Sequence, residues 1–164
     1  MSNIQHISLH QLTRSDHEWL AQIWREYWGA DYIVARGRMV RASEVDGFYA
    51  ADQHGERLGL LTFQISGDQC EIVTVDAFNQ FSGVGTVIIE AVTKHAVAEG
   101  CHRLWLITTN DNLDALRFYQ RRGFHLVTIH RDALDRSREL KPSIPKVGEY
   151  DIPLRDEIEL EILL

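Results

Sequence analysis

The chain has 164 residues, 45% of them apolar and 25% charged, with four tryptophans, the make-up of one globular domain spanning 1–164 with an adequate core. A formal charge of −7 argues against a phosphate-tracking nucleic-acid binder, which needs a basic face, and would welcome a cationic ligand. No stretch approaches the roughly 18 apolar residues of a membrane helix, and the opening MSNIQHISLH has neither a charged leader nor an apolar run. Neither nucleic acid nor membrane is therefore an expected partner, and the expected location is cytoplasmic.

Residues 4–10 suggest a first strand. Ser15 is placed to cap a helix running to about Trp28, with Glu18 completing a capping box, and Trp19, Leu20, Ile23, Trp24 and Tyr27 recur on it at helical spacing. A loop with a possible short helix follows around Val34 to Ser43. Gly47–Ala51 and Leu58–Ile65 make a hairpin across Asp52-Gln53-His54-Gly55, and Gln69–Asp76 adds a third strand after the turn at Ser66-Gly67-Asp68. From Gly83 to Gly100 the apolar period becomes helical, through Val84, Val87, Ile88, Ala91 and Val92, with Gly100 placed to stop the helix. Leu104–Thr108 is a buried strand, Asp111–Arg122 a helix closed by Gly123, and Phe124–His130 another strand. A helical stretch near Ala133–Leu140, a Lys141-Pro142-Ser143-Ile144-Pro145 loop and a strand near Arg155–Leu163 complete the chain. Alternating strands and helices in the second half imply a mixed sheet with helices on its faces. Cys70 and Cys101 lack CxxC spacing and are expected to be structural. The eight histidines show no ligand spacing on one element, so no metal is expected, and His125 and His130 are expected on a strand, one or both exposed.

Two segments carry chemistry. Gln80-Phe81-Ser82-Gly83-Val84-Gly85 follows a strand and opens the long helix. Glycines there let backbone N–H groups approach a phosphate at the positive end of the helix; the plainer alternative is a turn that only links strand to helix. A P-loop's Lys-Ser/Thr ending and the third glycine of the dinucleotide fingerprint are both absent. The second segment is Asn112-Leu113-Asp114-Ala115-Leu116-Arg117-Phe118-Tyr119-Gln120-Arg121-Arg122-Gly123-Phe124. Asn112 and Tyr119 lie nearly two helical turns apart on one face. A phenol with a pKa near 10 can protonate a departing thiolate, or Phe118-Tyr119 can serve as a core aromatic pair.

Together these segments resemble the GNAT superfamily of N-acetyltransferases, whose coenzyme A loop reads Gln/Arg-x-x-Gly-x-Gly/Ala and whose later motif reads Asn-x-x-Ala-x-x-Phe-Tyr-x-x-x-Gly-Phe. Every defining position is filled, and the order of elements is similar across most of the chain. The Lys-Pro-Ser-Ile-Pro loop and Arg155-Asp156-Glu157-Ile158-Glu159-Leu160-Glu161 also resemble a bacterial GNAT subgroup of unassigned substrate. The resemblance implies an α/β GNAT fold, a mixed, mostly antiparallel sheet flanked by helices, with acetyl-coenzyme A as acyl donor. It implies that the backbone of Val73, Thr74 and Val75 pairs with the pantetheine arm. Gln80, Phe81, Ser82, Gly83, Val84, Gly85 and Thr86 would form the pyrophosphate loop, Asn112 would fix pantetheine or a water, and Tyr119 would be the general acid. Glu71 is the implied base, with Asp76 second; the opposite parity of 71 and 76 is expected to place them on different faces of the strand. Trp24, Tyr27, Trp28, Tyr32, Arg36 and Arg38 would shape the acceptor pocket, the arginines taking a substrate carboxylate or phosphate; the plainer alternative is core packing for Trp24 and a solvated loop for the arginines.

The expected reaction is direct attack, in a ternary complex, by a primary amine of a small molecule or protein. The alternative is a catalytically silent acyl-coenzyme A binding or sensing module. Residues 132–154 either reach over the acceptor cleft, with Asp156-Glu157 attracting an ammonium group, or make a homodimer contact.

Overall fold

The computed structural model describes residues 6–78 and 83–164. In chain order the elements are β1 (Ser8–Gln11), α1 (His17–Trp28), β2 (Tyr32–Ala35), β3 (Arg38–Arg41), β4 (Asp46–Ala51), β5 (Arg57–Ser66), β6 (Gln69–Ala77), α2 (Val84–Ala98), β7 (Arg103–Thr109), α3 (Leu113–Arg121), β8 (His125–His130), α4 (Ala133–Leu140) and β9 (Glu157–Leu163). This is the mixed α/β architecture expected, its strand pairs mostly antiparallel. The chain forms two compact units: the described residues through 17, 43–104 and 164 make the first, and 18–42 with 105–163 make the second.

In the first unit the strands run in the order β1-β4-β5-β6, each antiparallel to the next. The turn residues 52–56 close the β4–β5 hairpin because the Asp52 carboxylate accepts the amides of His54 and Glu56 at 2.8 and 2.9 Å. Helix α2 lies on this sheet through Val84, Ile88, Ile89, Val92 and Ala96, all buried. Each fully buried Val or Ile stabilises the packing by about 1.5–3 kcal/mol. His95 of α2 packs against the rings of Phe48 and Phe63, which marks the face of the sheet that the helix covers. Gly100 (φ +80°) ends α2 in a Schellman motif, with its N–H bonded to the Val97 carbonyl and that of Cys101 to Ala96. Cys70 and Cys101 are buried free thiols; burial, with Cys101 and Glu71 nearby, pushes the Cys70 thiol up to about 12, so it stays protonated and unreactive.

The entry to α1 differs from expectation. The capping pair is Thr13 and Asp16, two residues earlier than Ser15 and Glu18: the Thr13 amide and hydroxyl donate to the Asp16 carboxylate at 2.8 and 3.1 Å. Asp16 is selected because it also meets Arg57 of β5 at 2.8 Å, a partner the local sequence does not reveal. Burial alone would raise its carboxyl, but the Thr13 amide, the Arg57 guanidinium and the Thr13 hydroxyl outweigh that and hold it below the ordinary value.

In the second unit the expected loop or short helix at Val34–Ser43 is instead a hairpin, β2 against β3, followed by one 3-10 turn at Ala42–Glu44. Ala35 pairs with Arg38, so Arg36 and Gly37 alone make the turn, at φ +53° and +67°. Two successive left-handed residues are what a type I′ turn demands, and its twist matches the strands it joins. The arginines around the turn obscured the alternation of Ile33 and Val40, which face each other and are buried. Strands in this unit run in the order β7-β9-β8. Helix α3 starts at Asn112, whose Oδ1 accepts the Ala115 amide at 3.1 Å. It ends in a second Schellman motif, Gly123 N–H to Gln120 and Phe124 N–H to Tyr119. The long connection after α4 is tied down by Asp111, which accepts the Glu149 amide at 2.9 Å, and by the Tyr150 hydroxyl on Asp114.

Candidate active site

The first unit presents β6 and the start of α2. Along β6 the pairing with β5 slips once: Phe63 faces Ile72, but Thr62 faces Thr74. Val73 is thus the extra residue of a β-bulge. The Thr74 amide bonds the Thr62 hydroxyl at 3.2 Å, and the two threonine hydroxyls lie 2.6 Å apart in a fully buried contact. Leaving either hydroxyl unpaired there would cost about 1–3 kcal/mol, so this pair pins the slip in place.

The bulge corrects the parity argument. Cross-strand partners share a face of the sheet; Glu71 faces Gln64, Thr74 faces Thr62 and Asp76 faces Leu60. Gln64, Thr62 and Leu60 alternate along β5 and lie on one face, opposite to that of Phe63, which α2 covers. Glu71, Thr74 and Asp76 therefore point to the same face, and all three are buried. Without the extra residue the two carboxylates would point apart, as even spacing implies.

Helix α2 begins at Val84 after Gly83, a left-handed N-cap at φ +77°. The first helical bond is Val87 N–H to Gly83 at 3.2 Å, so the amides of Val84, Gly85 and Thr86 stand ahead of it at the positive end of the helix. Of the expected pyrophosphate loop, Gln80, Phe81 and Ser82 lie outside the described residues. Gly59, which the sequence did not mark, matters here: a Cβ on it would come within 2.6 Å of the Asp76 carbonyl and 2.7 Å of the Val84 side chain. Only glycine lets the first turn of α2 settle so close to β5 and β6.

In the second unit Tyr119 is the C3 residue of the α3 Schellman motif. Its carbonyl takes the Phe124 amide, and its ring meets those of Phe118 and Phe124 edge-on at 5.1 and 5.3 Å. Arg122 lies over Phe118, 3.6 Å from the ring centroid. Tyr119 is buried, so backbone cap and aromatic packing together fix its position. Asn112 uses its Oδ1 to start the same helix.

The described chain thus has a strand ahead of a glycine-started helix, and later an Asn-capped helix carrying Phe-Tyr. Residues 9–124 match the model of the acetyltransferase (GNAT) family. The chain belongs to this family. It is an acetyltransferase by family. The uncharacterized protein YdhI of Bacillus subtilis (strain 168) is 38% identical over 139 residues, 85% of this chain and 87% of the relative. Among solved structures, the IAA acetyltransferase from Bacillus cereus ATCC 14579 has a TM-score of 0.74 at 20% identity, covering 97% of this chain and all of that one. A Bacillus subtilis acetyltransferase in complex with CoA has a TM-score of 0.68 at 20% identity, covering 98% and 99% of the two chains. These two share the fold.

The acceptor residues expected of this GNAT protein are dispersed by the structure. Trp24 is fully buried and packs in the core, whereas Tyr27 and Trp28 on the same helix are exposed. The Tyr32 hydroxyl donates to the Leu140 carbonyl at 3.4 Å, and Lys141, buried and its ammonium disfavoured by that burial, holds the Trp28 carbonyl. Arg36 forms the tip of the β2–β3 hairpin, where it lines a cleft with Arg131 and Arg136, while Arg38 begins β3 outside that lining. The carboxylates of Asp156 and Glu157 accept backbone amides, those of Asp132 at 2.9 Å and Arg36 at 3.1 and 3.2 Å. His125 is exposed, and His130 meets Glu159 at 3.0 Å. Among the described residues no helix is long and apolar enough to cross a membrane.

Proposed function

We propose that this GNAT protein transfers the acetyl group of acetyl-coenzyme A to a primary amine of a small molecule or protein, by direct attack within a ternary complex. The observation that carries the reading is the start of α2, where Gly83 at φ +77° and the amides of Val84, Gly85 and Thr86 follow directly on β6. Such a helix start favours a diphosphate. The Bacillus subtilis neighbour, solved with CoA, supports the same use of this fold.

The thioester supplies an activated acyl group; the protein has to supply three things. The attacking amine must be neutral, the tetrahedral oxyanion needs a donor, and the leaving thiolate needs a proton. Glu71 is assigned as the base, acting directly or through water, because it is buried on the face shared with Asp76. The backbone amide near Val75 serves the oxyanion, and Tyr119, held rigid by its cap and its aromatic neighbours, serves as the acid.

Isothermal titration with acetyl-coenzyme A, beside a Gly83→Asp variant, tests the cradle. Aspartate tolerates a left-handed φ better than most residues, so the variant changes charge more than fold. Micromolar binding lost in the variant is the expected result; no binding by the parent would sink the reading. In the same series Tyr119→Phe should lower turnover about 100-fold or more while leaving coenzyme affinity intact. Binding of the coenzyme with no thiol release across an amine panel would favour the silent binding module.

A further inference from the structure

Within the second unit, the tip of the β2–β3 hairpin and the passage from β8 into α4 enclose a cleft of about 250 Å³ lined by Arg36, Gly37, His130, Arg131, Asp132, Ala133, Arg136 and Glu157. That is room for roughly eight waters at about 30 Å³ each, enough for the head group of a ligand. Three arginines converge here from two elements far apart in sequence. Among the described residues their guanidinium groups make no hydrogen bond or ion pair, although most other arginines of the chain do. The lining also holds two carboxylates, those of Asp132 and of buried Glu157, so its three arginines leave a formal excess of one positive charge, and Glu157 accepts the Arg36 backbone amide at 3.1 and 3.2 Å. That bond also holds the hairpin tip in its left-handed turn and so aims Arg36.

The arrangement is built by backbone geometry. Gly37 at φ +67° leaves space for the methylenes of Arg136, whose Cδ would lie 3.0 Å from a Cβ at that position. Asp132, at φ +57°, turns the chain from β8 into α4 while its amide is held by Asp156 at 2.9 Å. Non-glycine residues at positive φ are costly and persist where the surroundings enforce them; two of the four in the described chain line this one cleft. Unpaired guanidinium groups around a concave site recognise planar or tetrahedral oxyanions, with paired N–H donors matching two oxygens at once.

The geometry points to an anion site: the cleft binds the carboxylate or phosphate head group of a small ligand. Under the acetyl-transfer reading, on which this one consequence rests, an amine that also bears such a group is the first class of acceptor to screen. The anion binding itself is independent of that reading.

The test titrates the full chain with inorganic phosphate and, separately, with succinate, in an amine buffer and with coenzyme A at saturation so that its own phosphate cradle is filled. Arg131→Gln and Arg136→Gln are compared with the parent and with Arg14→Gln, an exposed arginine outside the cleft. Both cleft arginines are exposed, so their variants should keep the parent's melting temperature. The expected result is binding of at least one anion, weakened about tenfold or more by each cleft variant and unchanged in Arg14→Gln. A preference for phosphate or for succinate distinguishes the two head groups. Absence of binding up to tens of millimolar, binding insensitive to both cleft variants, or binding seen only without coenzyme A would each overturn the proposal. Failure of coenzyme A to bind would instead count against the acetyl-transfer reading, and arginine-dependent anion binding would survive it.

Discussion

An extra residue in one strand turns over every side chain beyond it, and in β6 that residue is Val73. Glu71 and Asp76 consequently face the same way, with Thr74 between them, but they are not neighbours. Their partners Gln64 and Leu60 are four steps apart on β5, about 13 Å at the usual rise of a strand, too far to share a proton. Their contributions should therefore be separable. With an acceptor in hand, Glu71→Gln is expected to cut kcat/KM about 100-fold or more. Asp76→Asn should lose less. Because side chains that far apart combine additively to within about 0.5 kcal/mol, the double variant should lose the product of the two single losses. A double variant no worse than Glu71→Gln alone would show that the carboxylates act as one group.

At the scale of elements, both helices that carry the family motifs were legible because their signals are local. Gly83, Gly100 and Gly123 sit at the left-handed positions that start α2 and end α2 and α3, and Asn112 caps α3 through a residue three positions on. The start of α1 was misplaced because two overlapping boxes, Thr13/Asp16 and Ser15/Glu18, satisfy the same local rule, and a contact with Arg57 decides between them. That contact gives α1 a pH signature. Asp16 has its carboxyl held below the ordinary value by its hydrogen bonds and by Arg57, against its burial. A depressed carboxylate contributes stability above its unfolded value near 3.9, and the contribution is lost as pH falls through the folded value. Asp16→Asn should thus destabilise the protein by about 1.5–3 kcal/mol at pH 7, and urea melts should show the gap closing below about pH 4. A gap that is the same at pH 7 and pH 3 would remove Asp16 as the cause.

For the whole molecule, ligand binding to the folded state alone adds stability by mass action. Coenzyme A at about 100 times its dissociation constant should contribute about 2.7 kcal/mol, which for a chain of this size raises Tm by roughly 5–10 °C. A shift of zero at saturation would leave a GNAT scaffold without its coenzyme. Composition, helical period, capping glycines and two short motifs were enough to place the chain in its family, because each is read within a few residues and answers to backbone sterics that act locally. The β2–β3 hairpin escaped that reading: Arg36 takes a left-handed conformation that its residue type does not advertise, and Glu157, more than a hundred residues away, holds it there. The bulge at Val73 needed Thr62 across the sheet, and the arginine cleft needed Arg36 brought to Arg131 and Arg136. Local patterns along the chain reveal the fold class, two short motifs and the family. Tertiary structure alone decided which face the carboxylates share and which arginines converge, because both depend on pairings between distant segments whose energies no local pattern encodes.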